Sequence, residues 1–129
     1  MKISVITPSY KQAEWLRVCA ASVADQTGDG LAVEHIVQDS LSGPEVAEAL
    51  RPFPRAQLAS EKDAGMYDAI NRGWEKATGD VLCWLNCDEQ YLPGALSQVA
   101  DYFLARFTKV RFAQRMITVL GELPYKNSK

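Results

Sequence analysis

Two adjacent carboxylates, Asp88 and Glu89, directly follow the apolar run at residues 81–85 of this 129-residue chain. A carboxylate just beyond a buried strand is held rigidly and is partly stripped of water, and hard divalent cations prefer oxygen ligands. Asn86 precedes Asp88 by two positions, and side chains two apart in an extended segment point to the same side. The segment therefore predicts Mg²⁺ or Mn²⁺ at Asp88 with Asn86 beside it. The alternative is a solvated turn that leads into the next helix.

Two further polar clusters follow apolar, strand-like runs. The turn Thr7-Pro8-Ser9-Tyr10 breaks the first run, and Asp39 ends the second. The first turn is neither a G-x-G-x-x-G sequence nor a Walker A sequence, so a dinucleotide-binding fold and a P-loop both lose their main support. The three clusters together indicate a ligand site built from carboxylates and turns.

Strand-like runs and helical periodicities alternate along the chain. This alternation predicts an α/β fold with a mostly parallel sheet flanked by helices, in which ligands bind beyond the carboxyl ends of the strands. The three polar clusters are therefore expected at one edge of the sheet. The run at 81–85 is expected to be a buried strand, and Gly79 is expected to cap the helix before it. Strands are predicted at 2–7, 33–37, 57–60, 81–85, 109–112 and 116–120, and helices at 12–26, from residue 44, at 64–77 and at 93–105.

Length and composition fit one domain, and a formal net charge of -2 gives no broad basic surface for nucleic acid. No apolar run approaches the ~18 residues of a membrane span, and the strand-like N-terminal run is too short for a signal peptide. A cytoplasmic location, or one at the cytoplasmic face of a membrane, is therefore expected. The three cysteines and the lone His35, inside a predicted strand, are expected to be structural.

The chain resembles the family 2 glycosyltransferases over roughly residues 2–105. The stretch ISVITPSYKQAEWLRVCAASVADQT is similar to the opening of that family, and SEKDAGMYDAINRGWEKATGDVLCWLNCDEQYLPGAL resembles its middle segment. The resemblance implies the GT-A fold, which is a Rossmann-like α/β architecture. It also implies metal-assisted, inverting transfer of a sugar from a nucleotide-diphosphate donor, with UDP as the expected nucleotide.

The resemblance also implies a role for each matching residue. The turn at 7–10 holds the nucleoside, largely through backbone groups, and Asp39 recognises the base, usually uracil. Asp63 lies near the nucleotide, and Asn86 lies near the ribose. The implied residues are Thr7, Pro8, Ser9, Tyr10, Asp39, Asp63 and Asn86 for the nucleotide, Asp68 and Asn71 for the donor sugar, and Asp88 for Mg²⁺ or Mn²⁺.

The chain departs from the family pattern after Asp63. Ala64 stands where relatives often carry a basic residue, so Lys62 or Arg72 would have to supply the positive charge beside a phosphate. The sequence alone does not decide which of these two cations lies beside the phosphate.

The resemblance divides the chain into two parts. Residues 1–106 correspond to the nucleotide-sugar-binding part of a GT-A domain, and residues 107–129 resemble a divergent or truncated tail of that domain. Glu122 is the only acid after Asp101, and no general base is assigned. The chain alone is therefore expected to transfer sugar poorly or not at all.

Two other functions stay open beside sugar transfer. The first is a non-catalytic fragment that binds nucleotide sugars, and the second is a nucleotidyltransferase on a similar fold. The expected partners are a nucleotide-sugar donor and a sugar, lipid or protein acceptor. Peripheral association with a membrane also stays open.

Overall fold

The structure is a computed structural model that describes residues 1–106. Within this range four parallel strands form one sheet in the order β3-β2-β1-β4, which confirms the predicted α/β fold. The predicted strands at 109–112 and 116–120, and the tail at 107–129, lie outside the described residues. The elements are β1 (Lys2–Ser9), α1 (Ala13–Ala24), β2 (Ala32–Asp39), α2 (Pro44–Leu50), β3 (Ala56–Ser60), α3 (Met66–Lys76), β4 (Val81–Trp84) and α4 (Ala95–Arg106).

β1 lies inside the sheet, and all but its first residue are buried. Successive side chains of a strand point to opposite faces, so a strand buried on both faces needs helices on both. Ile3 packs with Cys19 of α1 and Leu96 of α4 on one face. Ile6 meets Gly73 of α3 on the other face. α2 packs on the same side as α1. The helices therefore cover both faces of the central strands and leave the carboxyl ends of the strands free.

β4 differs from the buried strand that its apolar sequence predicts. It is the outer strand of the described sheet, and Leu82 and Trp84 are 46% and 48% exposed. Val81 and Cys83 point to the other face and pack against the core. Within residues 1–106, only one face of β4 is covered along its whole length, and this is why its apolar run does not give a buried strand.

The predicted helix cap at Gly79 is also wrong. α3 ends at Lys76, and Ala77 is already extended with φ -70° and ψ 141°. Gly79 is needed for a different reason: a Cβ there would lie 2.8 Å from the backbone nitrogen of Ser4. The glycine therefore permits the close approach of the chain to β1 just before β4 begins.

Replacing Gly73 with alanine is expected to destabilise the fold. A Cβ at this position would lie 2.4 Å from Cγ2 of Ile6, so the helix and the sheet must move apart. Overpacking outweighs the gain of about 1 kcal/mol in helix propensity, and we expect a net loss of ~1–2 kcal/mol in the free energy of unfolding. Urea unfolding measures this loss, with the exposed α3 substitution Glu75→Ala as the control. Equal stability of the two variants would contradict the tight contact.

None of the helices formed by residues 1–106 has both the length and the apolar character needed to cross a membrane.

Candidate functional site

A cavity of about 870 Å³ opens where the carboxyl ends of the strands meet the start of α3. It gathers six of the residues predicted from the sequence for the nucleotide and the metal. It also includes residues that the sequence did not single out as ligand contacts. The cavity is lined by Pro8, Ser9, Tyr10, Lys11, Gln12, Ser40, Leu41, Lys62, Asp63, Gly65, Met66, Ala69, Asn86, Cys87 and Asp88.

Thr7 lies behind this cavity rather than on its wall. Its side chain is fully buried, and its Oγ1 lies 2.9 Å from Nε2 of His35. Burial lowers the pKa of His35 from 6.5 to about 4, so the ring is neutral at physiological pH. His35 is therefore a core residue, as its position inside a strand predicts. The contact of Thr7 with a nucleotide stays a prediction.

Asp39 is buried and organises the turn after β2. Its carboxylate accepts hydrogen bonds from the backbone nitrogen of Ser42 at 2.8 Å, from Oγ of Ser42 at 2.6 Å and from Oγ of Ser60 at 3.3 Å. A carboxylate offers about four acceptor positions, so three of those of Asp39 are occupied. Asp39 does not line the cavity, but the two residues after it do. Its role with the base stays a prediction.

The loop before α3 is fastened by two carboxylates. Asp63 accepts a hydrogen bond from the backbone nitrogen of Gly65 at 3.0 Å and lines the cavity. Asp68 accepts from the backbone nitrogen of Ala64 at 2.9 Å and from Nε of Arg72 at 3.0 Å. The Ala64 amide and then Arg72 hold the pKa of Asp68 below its usual value. Asp68 therefore shapes the loop that carries Asp63.

The two residues predicted for the donor sugar are not on the cavity wall. Asp68 makes the loop contacts just described, and Asn71 is exposed elsewhere on α3. Of the two cations considered for the phosphate, Lys62 lines the cavity, whereas Arg72 pairs with Asp68 and Glu61. The structure thus favours Lys62, and the sugar contacts of Asp68 and Asn71 stay predictions.

The turn after β4 is closed by its own side chains. The backbone nitrogen of Asn86 donates to Oε2 of Glu89 at 3.0 Å, and the nitrogen of Glu89 donates back to the Asn86 carbonyl at 2.9 Å. Sγ of Cys87 donates to Oε1 of Gln12 at 2.7 Å, which ties this turn to the one after β1. Asp88 is left exposed on the cavity wall. Glu89 is therefore part of the turn, and Asp88 is the carboxylate that can meet a ligand.

Two buried polar atoms on residues of the cavity wall have no hydrogen-bond partner among residues 1–106. They are Oγ of Ser9 and Oδ1 of Asn86. A buried polar atom without a partner costs about 1–3 kcal/mol, so such atoms are rare in folded proteins. Both residues line the large cavity, where a ligand or an ordered water can supply the missing hydrogen bonds.

The carboxylate of Asp88 suits a hard cation that is coordinated partly by the protein and partly by a bound ligand. The described residues contain no group of three or more His, Cys, Asp or Glu side chains that could hold a metal by themselves. Mg²⁺ and Mn²⁺ commonly bind one or two carboxylates and complete their shell with phosphate oxygens and water. Asp88, exposed on the cavity wall, suits this second arrangement.

Comparison with known proteins decides the family. The family model described as glycosyl transferase family 2 matches residues 4–129. The chain belongs to glycosyltransferase family 2. It is 35% identical over 102 residues to an uncharacterized glycosyltransferase of Mycobacterium tuberculosis H37Rv, a match that covers 77% of this chain and 38% of that protein. It is 31% identical over 107 residues to the glycosyltransferase AglE of Haloferax volcanii, which covers 76% and 35% respectively.

Solved structures establish the fold of this glycosyltransferase chain. The Staphylococcus aureus protein TarS, residues 1–349 in complex with UDP-GlcNAc, superposes with a TM-score of 0.69 at 20% identity, over 82% of this chain and 32% of that one. The mannosyltransferase PcManGT of Pyrobaculum calidifontis, in complex with GDP-Man and Mn²⁺, gives 0.65 at 22%, over 78% and 32%. The predicted GT-A fold is confirmed. The chain spans about a third of each of these structures.

Proposed function

We propose that residues 1–106 form the donor site of an inverting glycosyltransferase that uses a UDP-linked sugar. The observation that carries the proposal is the pair of unpartnered buried atoms, Ser9 Oγ and Asn86 Oδ1, on the wall of the large cavity. A nucleotide sugar supplies ribose and sugar hydroxyls that can donate to such acceptors. The nucleotide sugars in the TarS and PcManGT complexes support the same class of ligand.

We infer the orientation of the nucleotide from the sheet order. β1 lies between β2 and β4, so the turns that carry Asp39 and Asp88 are separated by two strand spacings, roughly 10 Å. We assign the base to the Asp39 end, where a carboxylate can accept a hydrogen bond from a ring N–H. We assign the diphosphate to the Asp88 end. Lys62 and the N-terminus of α3 line the same cavity and favour an anionic ligand in it.

Asp88 is the residue that would hold Mg²⁺ or Mn²⁺ in this arrangement. Such a cation supplies charge neutralisation for the leaving diphosphate. Asn86 accepts a hydrogen bond from the ribose, and Ser9, at the end of the neighbouring strand β1, holds the nucleoside beside it. The acceptor is a sugar, lipid or protein hydroxyl that attacks the anomeric carbon from the face away from the diphosphate. No residue of the described range is assigned as the base for that hydroxyl.

Family membership favours sugar transfer over the nucleotidyltransferase alternative. The alternative of nucleotide-sugar binding without turnover fits the same cavity, because no residue of the described range is assigned as the base. An assay with a panel of nucleotide sugars and acceptors separates the two, since only the transferase forms a glycosylated product. A cytoplasmic location is part of the proposal, and the three free cysteines suit a reducing compartment.

The proposal predicts the effect of Asp39→Asn on nucleotide binding. The neutral amide is a weaker acceptor for the uracil N–H than the carboxylate, so UDP affinity should fall about tenfold, equally with and without Mn²⁺. Isothermal titration calorimetry of the 129-residue chain with UDP measures this effect. Wild-type chain that binds no UDP, or that binds GDP more tightly than UDP, would overturn the assignment of the donor.

Ser60→Ala is the matched control for this experiment. It removes the 3.3 Å hydrogen bond from Oγ of Ser60 to Asp39 but keeps the carboxylate and both of its bonds from Ser42. UDP affinity should fall less than about threefold, since a neutral hydroxyl contributes little to a turn that keeps its other bonds. A loss as large as that of Asp39→Asn would mean that Asp39 acts through the turn and does not contact the base.

A further inference from the structure

Two residues other than glycine have a positive φ within residues 1–106, and both line the donor cavity. Lys11 and Leu41 each have a φ of 52°. The left-handed region costs an L-residue about 1–2 kcal/mol, and leucine has no short polar side chain to compensate for that cost. Strained residues of this kind persist where the surrounding structure fixes them, most often at functional sites.

One side chain joins the two strained residues. Oγ of Ser42 accepts a hydrogen bond from the backbone nitrogen of Lys11 at 2.8 Å and donates to Oδ1 of Asp39 at 2.6 Å. The turn after β1 and the turn after β2 are therefore held together by hydrogen bonds to Ser42. The same hydrogen bonds fix the backbone on both sides of Leu41.

Because these hydrogen bonds fix the turn, the side chain of Leu41 lies exposed on the cavity wall. The side chain of Leu41 is 60% exposed, and Tyr10, from the other turn, is 57% exposed. An apolar side chain held in solvent by a strained backbone contributes nothing to the core. It does offer an apolar surface to whatever enters the cavity.

We propose that Leu41 is a nucleobase-binding residue that packs against the base of the donor nucleotide. This inference rests on the proposed function. Leu41 follows Asp39 by two positions, at the base end of the cavity, and β1 separates it from Asp88. A nucleobase has apolar faces that gain from contact with leucine, whereas the diphosphate is charged and gains nothing.

Two substitutions of Leu41 test the proposal. Leu41→Asn keeps a similar size, removes the apolar surface and tolerates the left-handed backbone. Leu41→Met keeps the apolar surface. Leu92→Asn, at an exposed leucine away from the cavity, is the matched control. Each variant is titrated calorimetrically with UDP and with inorganic pyrophosphate, and its melting temperature is measured without ligand.

We expect Leu41→Asn to weaken UDP binding by about fivefold to tenfold, the scale of roughly 50 Å² of apolar contact. Its affinity for pyrophosphate and its melting temperature should not fall, because strain is relieved and no core contact is lost. Leu41→Met should stay within about twofold of the wild type, and Leu92→Asn should equal it.

The contrary results distinguish a failure of the role of Leu41 from a failure of the donor site itself. UDP binding by the wild type together with unchanged binding by Leu41→Asn would overturn the role of Leu41 and leave the donor site standing. Equal losses for UDP and pyrophosphate, or a clear fall in melting temperature, would show that Leu41 acts through the turn and would also overturn it. A wild-type chain that binds no UDP would overturn both.

Discussion

Asp88→Ala is expected to abolish the dependence of UDP binding on Mn²⁺. In the wild type, Mn²⁺ should tighten UDP binding by about tenfold to hundredfold, because the cation joins a protein carboxylate to the diphosphate oxygens. Within residues 1–106, Asp88 is the one exposed carboxylate of the turn after β4 that is free of the turn's own hydrogen bonds. Without it, Mn²⁺ can bind the nucleotide but gains no anchor on the protein.

The measurement is a pair of calorimetric titrations with UDP, one with Mn²⁺ and one with EDTA. Asp101→Ala, at an exposed acid on α4, is the control for the loss of one negative charge. It should keep the full effect of Mn²⁺. If Asp88→Ala retained that effect as well, the metal would have another ligand and the assignment of Asp88 would be wrong.

The place of the site could be predicted from the sequence, because strand ends are simple to recognise. Pro8, Asn86 and Asp88 each follow an apolar run, and parallel strands bring their carboxyl ends to one edge. The cavity indeed opens there. This part of the prediction needed only the alternation of strands and helices and did not depend on any side-chain orientation.

The faces of α3 could not be predicted in the same way. Asp68 and Asn71 lie in a helix that borders the cavity, but Met66 and Ala69 are the helix residues on its wall. Which face of a helix turns toward a site depends on the packing of its buried side against the sheet. Here Gly73 sits on Ile6 and fixes that rotation.

The positive φ of Leu41 could not be predicted from the sequence either. A turn of the type Asp-Ser-Leu-Ser gives no sign that its leucine has a positive φ, since glycine or asparagine is the usual residue there. The conformation follows from tertiary hydrogen bonds, above all the bond from Lys11 to Ser42. Lys11 and Leu41 could have been noticed only as immediate neighbours of residues already predicted.

Glu34 is the residue with the largest structural role that the sequence did not indicate. This buried carboxylate accepts hydrogen bonds from Oγ of Ser4 at 2.6 Å, from the backbone nitrogen of Thr78 at 2.8 Å and from Oγ1 of Thr78 at 2.9 Å. Nζ of Lys2 lies 3.3 Å from it. Glu34 thereby fastens the chain just before β4 to β1 and β2, and so holds the strand that delivers Asp88.

The protonation of Glu34 should make stability depend on pH. Burial raises the pKa of this carboxyl, but the bonds from Ser4, Thr78 and Lys2 outweigh burial and lower the pKa from 4.5 to about 2. A depressed pKa in the folded state stabilises the protein above the unfolded-state pKa. That stability is lost as the pH falls from about 4.5 toward 2, and it amounts to ~3 kcal/mol at neutral pH.

Glu34→Gln is therefore expected to lower the free energy of unfolding by ~2–3 kcal/mol at pH 7 and by roughly half of that at pH 3. Urea unfolding of both proteins between pH 7 and pH 3 measures the difference in their free energies of unfolding. The contributions of the other carboxylates cancel in this difference. Glu48→Gln, at an exposed acid paired with Arg51 on the surface, should change stability little at either pH. A difference between Glu34→Gln and the wild type that stayed constant across this range would mean that the charge of Glu34 contributes nothing. The amide would then fill the same hydrogen-bonding role as the carboxylate, and the attachment of β4 would not depend on a negative charge at this position.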